Sequence, residues 1–270
     1  MNSTELRAAL HSGQRAFGTL IVSNSPCWPD AVAKIGLDFV FIDTEHIALD
    51  RAQVSWMCQT YRALGLPAIV RIPSPDAYAA CMALDGGAAG VVAPYIETVE
   101  QAKELRGAVK LRPLKGATLA AALRDQSTFE PQLQRYVDRN NGSSLFIINI
   151  ESTPAIQHLD RLLAVADLDA VLIGPHDLSC SLGIPEQYDH PRFEEAVLSI
   201  IRRARRAGVA AGIHWWGSLQ RLEAWMDAGL NLVICSADIT AMHAHLSGSI
   251  RTLRSARGLP APASGAVASV

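Results

Sequence analysis

The stretch FVFIDTEHIALD, residues 39–50, starts as an unbroken apolar run and ends on Asp43, Glu45 and His46. Alternating polarity marks a strand with one wet face, whereas continuous hydrophobicity marks a strand buried on both faces, as in a parallel sheet covered by helices. The three titratable side chains at its end add nothing to such packing, and each is costly to bury unpaired. A strand that delivers them to one end of a sheet delivers a site.

Seven further runs repeat the pattern: FGTLIV (17–22), AIVRI (68–72), GVVAPYI (90–96), LFIINIE (145–151), AVLIGP (170–175), VAAGIHW (209–215) and LVICSAD (232–238). Segments of helical periodicity separate most of them, among them RAQVSWMCQTYRALG and PRFEEAVLSIIRRARRAG, and several end in glycine as helix C-termini do. Eight strand–helix units in a chain of 270 residues have the size of a (β/α)8 TIM barrel. A doubly wound sheet of that length would have about five or six strands and a Gly-rich first turn. The expectation is therefore an α/β chain with one barrel domain over residues 1–257. Two stretches depart from the repeat: 111–141, a long insertion after the fourth strand–helix unit, read as an active-site loop with one or two helices of its own, and 258–270, read as a disordered or loose arm.

Lys and Arg (24) nearly balance Asp and Glu (26), and no block of like charge stands out, which argues against a nucleic acid or an anionic membrane as partner. A small neutral molecule or small anion remains open. The five cysteines are odd in number and lack a CxxC pair, which argues against a disulfide framework or a structural zinc site and fits a reducing cytoplasm. No apolar run reaches the length of a membrane span, and the start MNSTELRAAL lacks the pattern of a signal peptide.

Chemistry in a TIM barrel belongs at the C-terminal ends of the strands. Those ends carry Asp43, Glu45 and His46, then Arg71, Glu151, Asp177, His214 and Asp238. Glu151 and Asp177 follow adjacent strands about 4.8 Å apart and can share one cation. Oxygen ligands with room for water suit Mg²⁺ or Mn²⁺ better than zinc; the alternative is that both acids cap helices or pair with a nearby base. Arg71 can hold a carboxylate or enolate through two parallel hydrogen bonds, or else form a structural ion pair with a rim acid. His46 has the chemistry of a general acid or base, or is a satisfied histidine. His214, beside two tryptophans, reads as pocket wall, and His176 either reaches substrate or caps its loop.

FIDTEH, VRI with its arginine, ALDGGAAGVVAP, INIES and GPHDLSCSLG together resemble the HpcH/HpaI aldolase family, the class II pyruvate aldolases, from about residue 16 to 250. The resemblance implies a homohexameric barrel with a divalent metal (Mg²⁺ or Mn²⁺, with Co²⁺ a further option) that makes or breaks a carbon–carbon bond beside pyruvate. Its substrates would be a small 2-oxo acid and an aldehyde. By position, Glu151 and Asp177 would be the metal ligands, Arg71 the substrate-binding arginine, and His46 the acid/base residue, paired with Asp85 of LDGG. Arg71, Asn149, Pro175 and His176 would line the substrate. This chain departs from the family pattern where Asn149 replaces a glutamine and His176 a small residue. Further departures are Thr19, near which a tryptophan is missing, Lys115 in PLKG, and GIHWW. Relatives also run citrate-forming condensation and oxaloacetate decarboxylation, and a barrel that binds a small acid without catalysis is a third reading.

Overall fold

Eight strands alternate with helices along the chain: β1 (Ala16–Leu20), β2 (Phe39–Asp43), β3 (Ala68–Arg71), β4 (Gly90–Ala93), β5 (Leu145–Ile150), β6 (Ala170–Ile173), β7 (Ala210–Trp215) and β8 (Leu232–Ala237). Each lies within the apolar run expected for it, except that β1 begins one residue earlier. Every strand pairs in parallel with the next, and β1 closes on β8 to complete a barrel. The computed structural model describes residues 1–125 and 129–260, so the arm expected at 258–270 lies, from residue 261 onward, outside the described residues.

Because side chains alternate faces along a strand, each run divides into two cores. Leu20, Phe39, Phe41, Ile69, Val92, Ile147, Leu172 and Ile234 fill the barrel. Their neighbours Val40, Ile42, Val70, Val91, Ile148, Val171, Ile213 and Val233 face out against the helices. The inner parity, carried to the strand ends, aims Asp43, Arg71, Asn149, Glu151 and His214 at the barrel axis. The end of a strand therefore places a side chain before any contact is considered.

Local chemistry sets the helix starts. α3 (Arg51–Ala63) and α5 (Val99–Lys110) both open with reciprocal capping boxes, Asp50 with Gln53 and Thr98 with Gln101. α1 (Ser3–Ser12) plugs the N-terminal end of the barrel with fully buried Leu6 and Leu10. The plug is tied down by Asp169, wholly buried just before β6. Its carboxylate accepts from Arg7 Nε (2.7 Å), His11 Nε2 (2.8 Å), Lys110 Nζ (2.6 Å) and the Phe146 amide (2.8 Å). Burial alone would raise the Asp169 pKa, but the His11 hydrogen bond and the Lys110 and Arg7 charges outweigh it and hold the carboxyl below its ordinary range.

The insertion at 111–141 is corrected by topology. It contains two helices, as expected, α6 (Gly116–Arg124) and α7 (Pro131–Asn141), joined around Leu111, Ala122 and Val137. It connects the lower end of α5 to the start of β5, so within one chain it lies at the N-terminal end of the barrel, opposite the strand C-termini. A connection that leads from a helix into the next strand cannot emerge anywhere else. The last helix, α13 (Asp238–Ser255), has no buried residue at all.

Candidate active site

A cavity of about 460 Å³ opens at the C-terminal ends of the strands, lined among others by His46, Arg71, Asn149, His176, Asp177 and His214. A larger groove of about 910 Å³ runs along the outside of α11 (Pro191–Arg206) and is an open surface feature among arginines.

Glu151 is only 3% exposed yet makes no ion pair among the described residues. Its Oε1 accepts from the Tyr95 amide and its Oε2 from Asn149 Nδ2, each at 2.8 Å. Burial pushes its pKa up to about 7, and the nearby Asp177 charge adds to this; the two hydrogen bonds and Arg71 oppose it only in part. Asp177 stands in the first turn of α10 (Pro175–Ser181), on the same cavity. A Cβ at Gly174 would collide with Glu151 Oε2, so only glycine leaves the carboxylate its place. Tyr95 sits just past β4 with φ 52°, a left-handed backbone that aromatic residues rarely adopt, and this turns its amide onto Glu151. The sequence reading missed Tyr95 because GVVAPYI looks like an uninterrupted strand.

Arg71 is held by the neighbour its register gives it. Asp43 lies directly opposite on β2 and accepts from Nε (2.8 Å) and Nη2 (2.6 Å) in a bidentate pair. Burial works against the Asp43 charge, but Arg71 outweighs it and keeps the carboxyl below its ordinary range. Arg71 Nη1 stands 3.1 Å from Glu45 Oε2. Nε and Nη2 are thus committed to Asp43, while Nη1 is paired electrostatically with Glu45. The acids of FIDTEH thus place Arg71 rather than chiefly tuning His46. His46 follows on the loop, half exposed, with Nε2 3.8 Å from Glu45 Oε2.

The other expected residues divide. Asp85 ends α4 (Ala77–Asp85) at the N-terminal end of the barrel and pairs with Arg112 at 2.9 Å, so one chain does not bring it to His46. Asp238 is absorbed structurally: its carboxylate accepts from the Val22 and Ser23 amides, both at 3.0 Å, and pins the loop after β1. Pro175 is buried at the start of α10, and His176 is half exposed on the rim, 3.7 Å from Glu186. His214 packs between Phe41 and Trp216 with Nε2 3.0 Å from the Ser236 carbonyl. Burial lowers its pKa to about 4, which keeps the ring neutral.

The donor set fits a hard divalent cation. Among the described residues no three His, Cys, Asp or Glu side chains cluster as ligands, so the protein would offer Glu151 and Asp177 and leave the other positions to water and substrate oxygens. A buried carboxylate with no ion-pair partner is the feature such a cation would satisfy. No lysine lines the cavity.

A family model described as HpcH/HpaI aldolase/citrate lyase matches residues 17–242. A hydroxypyruvate/pyruvate aldolase of Roseobacter denitrificans is 29% identical over 87% of this chain and 91% of its own length. A 2-keto-3-deoxy-L-rhamnonate aldolase of Salmonella gallinarum is 30% identical over 78% of each chain. The crystal structure of an HpcH/HpaI aldolase from Desulfitobacterium hafniense matches with a TM-score of 0.80 at 27% identity, covering 92% of this chain and 96% of that one.

Proposed function

The chain belongs to the HpcH/HpaI aldolase/citrate lyase family, and from that premise we propose that it is a divalent-metal-dependent carbon–carbon lyase that makes or cleaves a 2-oxo acid from pyruvate and an aldehyde. The observation that carries this reading is the buried Glu151, without an ion-pair partner among the described residues and within electrostatic reach of Asp177, which lines the cavity together with Arg71 and His46. Glu151 and Asp177 would hold the metal, Mg²⁺ or Mn²⁺ by their oxygen donors; when bound it supplies the positive charge that makes an enolate accessible. Arg71, oriented by Asp43, binds the substrate carboxylate and stabilises negative charge through its guanidinium. Asn149, Pro175 and His176 shape the wall around that fragment. His46 moves the proton at the aldehyde oxygen, directly or through one water. The absence of a lysine from the lining is consistent with a route without a Schiff base. Citrate-type condensation is not favoured, since the similar curated relatives are named aldolases.

The homo-oligomer reading, a hexamer by resemblance, is supported by two uncovered apolar faces. α13 shows Ile239, Met242, Leu246, Ile250 and Leu253 in one stripe at helical spacing, from 37% to 65% exposed. Phe17 on the outer face of β1 is 41% exposed, where the outward residues of the other strands are covered by helices. Asp85 can serve His46 only from a neighbouring copy of the chain. Among the described residues no helix is long and apolar enough to cross a membrane; a cytoplasmic location is the reading that the cysteine usage supports.

Chelated and metal-restored protein assayed with pyruvate and a panel of aldehydes tests the reading. Turnover should require metal and vanish in Glu151→Gln and Asp177→Asn, with metal binding lost in both by isothermal titration. Full metal-dependent turnover in either variant would overturn the ligand assignment.

A further inference from the structure

The cavity wall contains hydrogen-bond acceptors that no donor among the described residues reaches. A backbone carbonyl only accepts, so the 3.0 Å contact from His214 Nε2 to Ser236 oxygen puts the ring proton on Nε2 and leaves a lone pair on Nδ1. The backbone at Ser236 is left-handed, φ 56°, at the end of β8, so the carbonyl is held in place by an uncommon conformation. Phe41 at 6.1 Å and Trp216 at 5.4 Å, centroid to centroid, flank the ring and fix its plane. Nδ1 has no hydrogen-bond partner among the described residues, and His214 is one of the residues that line the cavity. A second acceptor shares that cavity. Asn149 is 1% exposed, its Nδ2 is committed to Glu151, and its Oδ1 is buried without a donor.

A ligand that fills the cavity would strip water from Nδ1, and Asn149 Oδ1 already lacks a donor, so a ligand that brings a donor is favoured: a polar atom left unpaired away from water loses its hydration without return. We infer that the substrate fragment lodged beside His214 carries a hydroxyl group that donates to Nδ1, making His214 a specificity-determining residue for hydroxylated over plain aliphatic partners. The inference rests on the aldolase reading and deepens it. The neutral ring accepts throughout the working pH range and offers no cation, so it is not an anchor for a second carboxylate or a phosphate. The hydroxyl could belong to the aldehyde or to the 2-oxo acid, and the two sources are separable.

The test uses the metal-loaded full chain and pairs of substrates that differ only in hydroxyl against methyl. One arm compares glycolaldehyde with propionaldehyde, both with pyruvate; the other compares hydroxypyruvate with 2-oxobutyrate, both with acetaldehyde. A site that hydrogen-bonds a substrate hydroxyl discriminates far better than an apolar slot, so wild-type kcat/KM should favour the hydroxylated member of one pair by about tenfold or more. That ratio should fall toward one in His214→Leu and be partly restored in His214→Gln, and the arm in which it falls identifies the source. An unchanged ratio in both arms of His214→Leu, with the variant's thermal melt intact, overturns the inference. If wild-type protein turns over no pair, the aldolase reading fails separately, and the same comparison is read as thermal stabilisation by hydroxypyruvate against 2-oxobutyrate. Stabilisation favouring hydroxypyruvate in wild type but not in His214→Leu then upholds the inference, and any other pattern ends it.

Discussion

In the proposed reaction Arg71 would serve as a substrate-binding group because Asp43 leaves it little freedom. A guanidinium on a four-residue strand would otherwise sample several rotamers, and the two parallel hydrogen bonds it donates to Asp43 select one. Asp43→Asn should keep the fold's steric outline and release this hold, since one amide donor replaces a carboxylate oxygen. A displacement on the order of 1 Å at a substrate-binding group costs about a hundredfold; we expect kcat/KM to drop by that order in Asp43→Asn, with metal affinity near wild type. Arg71→Lys should not restore activity, because an ammonium cannot fill the bidentate geometry. Steady-state kinetics beside a Mn²⁺ titration separates the two effects, and loss of metal binding in Asp43→Asn would refute the positioning role.

At the level of elements, the α1 plug and the start of β6 share one buried carboxylate. Asp169 gathers Arg7 and His11 from α1 and Lys110 from α5, so it ties three elements at the N-terminal end. Removing one partner of a buried ion pair costs about 3–5 kcal/mol, and here Lys110 would stay buried and uncompensated, whereas the partly exposed Arg7 and His11 can turn to water. Asp169→Asn should lower stability by that order in urea unfolding. The sign with pH follows from the depressed folded pKa of Asp169. The unfolded carboxyl binds its proton at higher pH than the folded one, so the stabilisation is complete above the ordinary aspartate range and is lost as pH falls through the folded value. Wild-type stability should therefore drop on acidification more steeply than that of Asp169→Asn. Parallel acid titration curves would contradict this.

The whole molecule leaves apolar surface that a barrel normally covers with its own last helix. An 18-residue helix with no buried residue is unusual in a domain that otherwise buries nearly every strand position. Charges placed in the stripe, Leu246→Asp with Ile250→Asp, should convert the proposed homo-oligomer to smaller species by light scattering while far-UV dichroism stays unchanged. An unaltered mass would mean that the stripe is not the interface. The separation of Asp85 from His46 gives a second test at this scale. Mixed refolding of His46→Ala and Asp85→Ala chains should recover activity above either parent, since a neighbour would supply the missing half of the pair; no recovery would confine any such role to one chain.

Strand positions were legible from residue order alone, because a strand buried on both faces leaves an unbroken apolar run; which alternate side chains meet the axis was not, since such a run looks the same on both faces. Glu151 and Arg71 could be picked out as polar residues ending apolar runs, and Asp177 because it opens the helix after one. Other assignments needed the closed barrel. Asp43 and Asp238 looked alike in sequence, yet one grips Arg71 across a register and the other holds a loop, a distinction made by pairing between distant segments. Tyr95 entered the site through a backbone angle that its residue type does not advertise. The 111–141 insertion and Asp85 were assigned to the catalytic end by length and resemblance, but the alternation of upward strands and downward helices sends both to the opposite end. Sequence determines which groups a strand carries and that alternate ones share a face; only closure of the chain on itself decides which face meets the axis and which groups become neighbours.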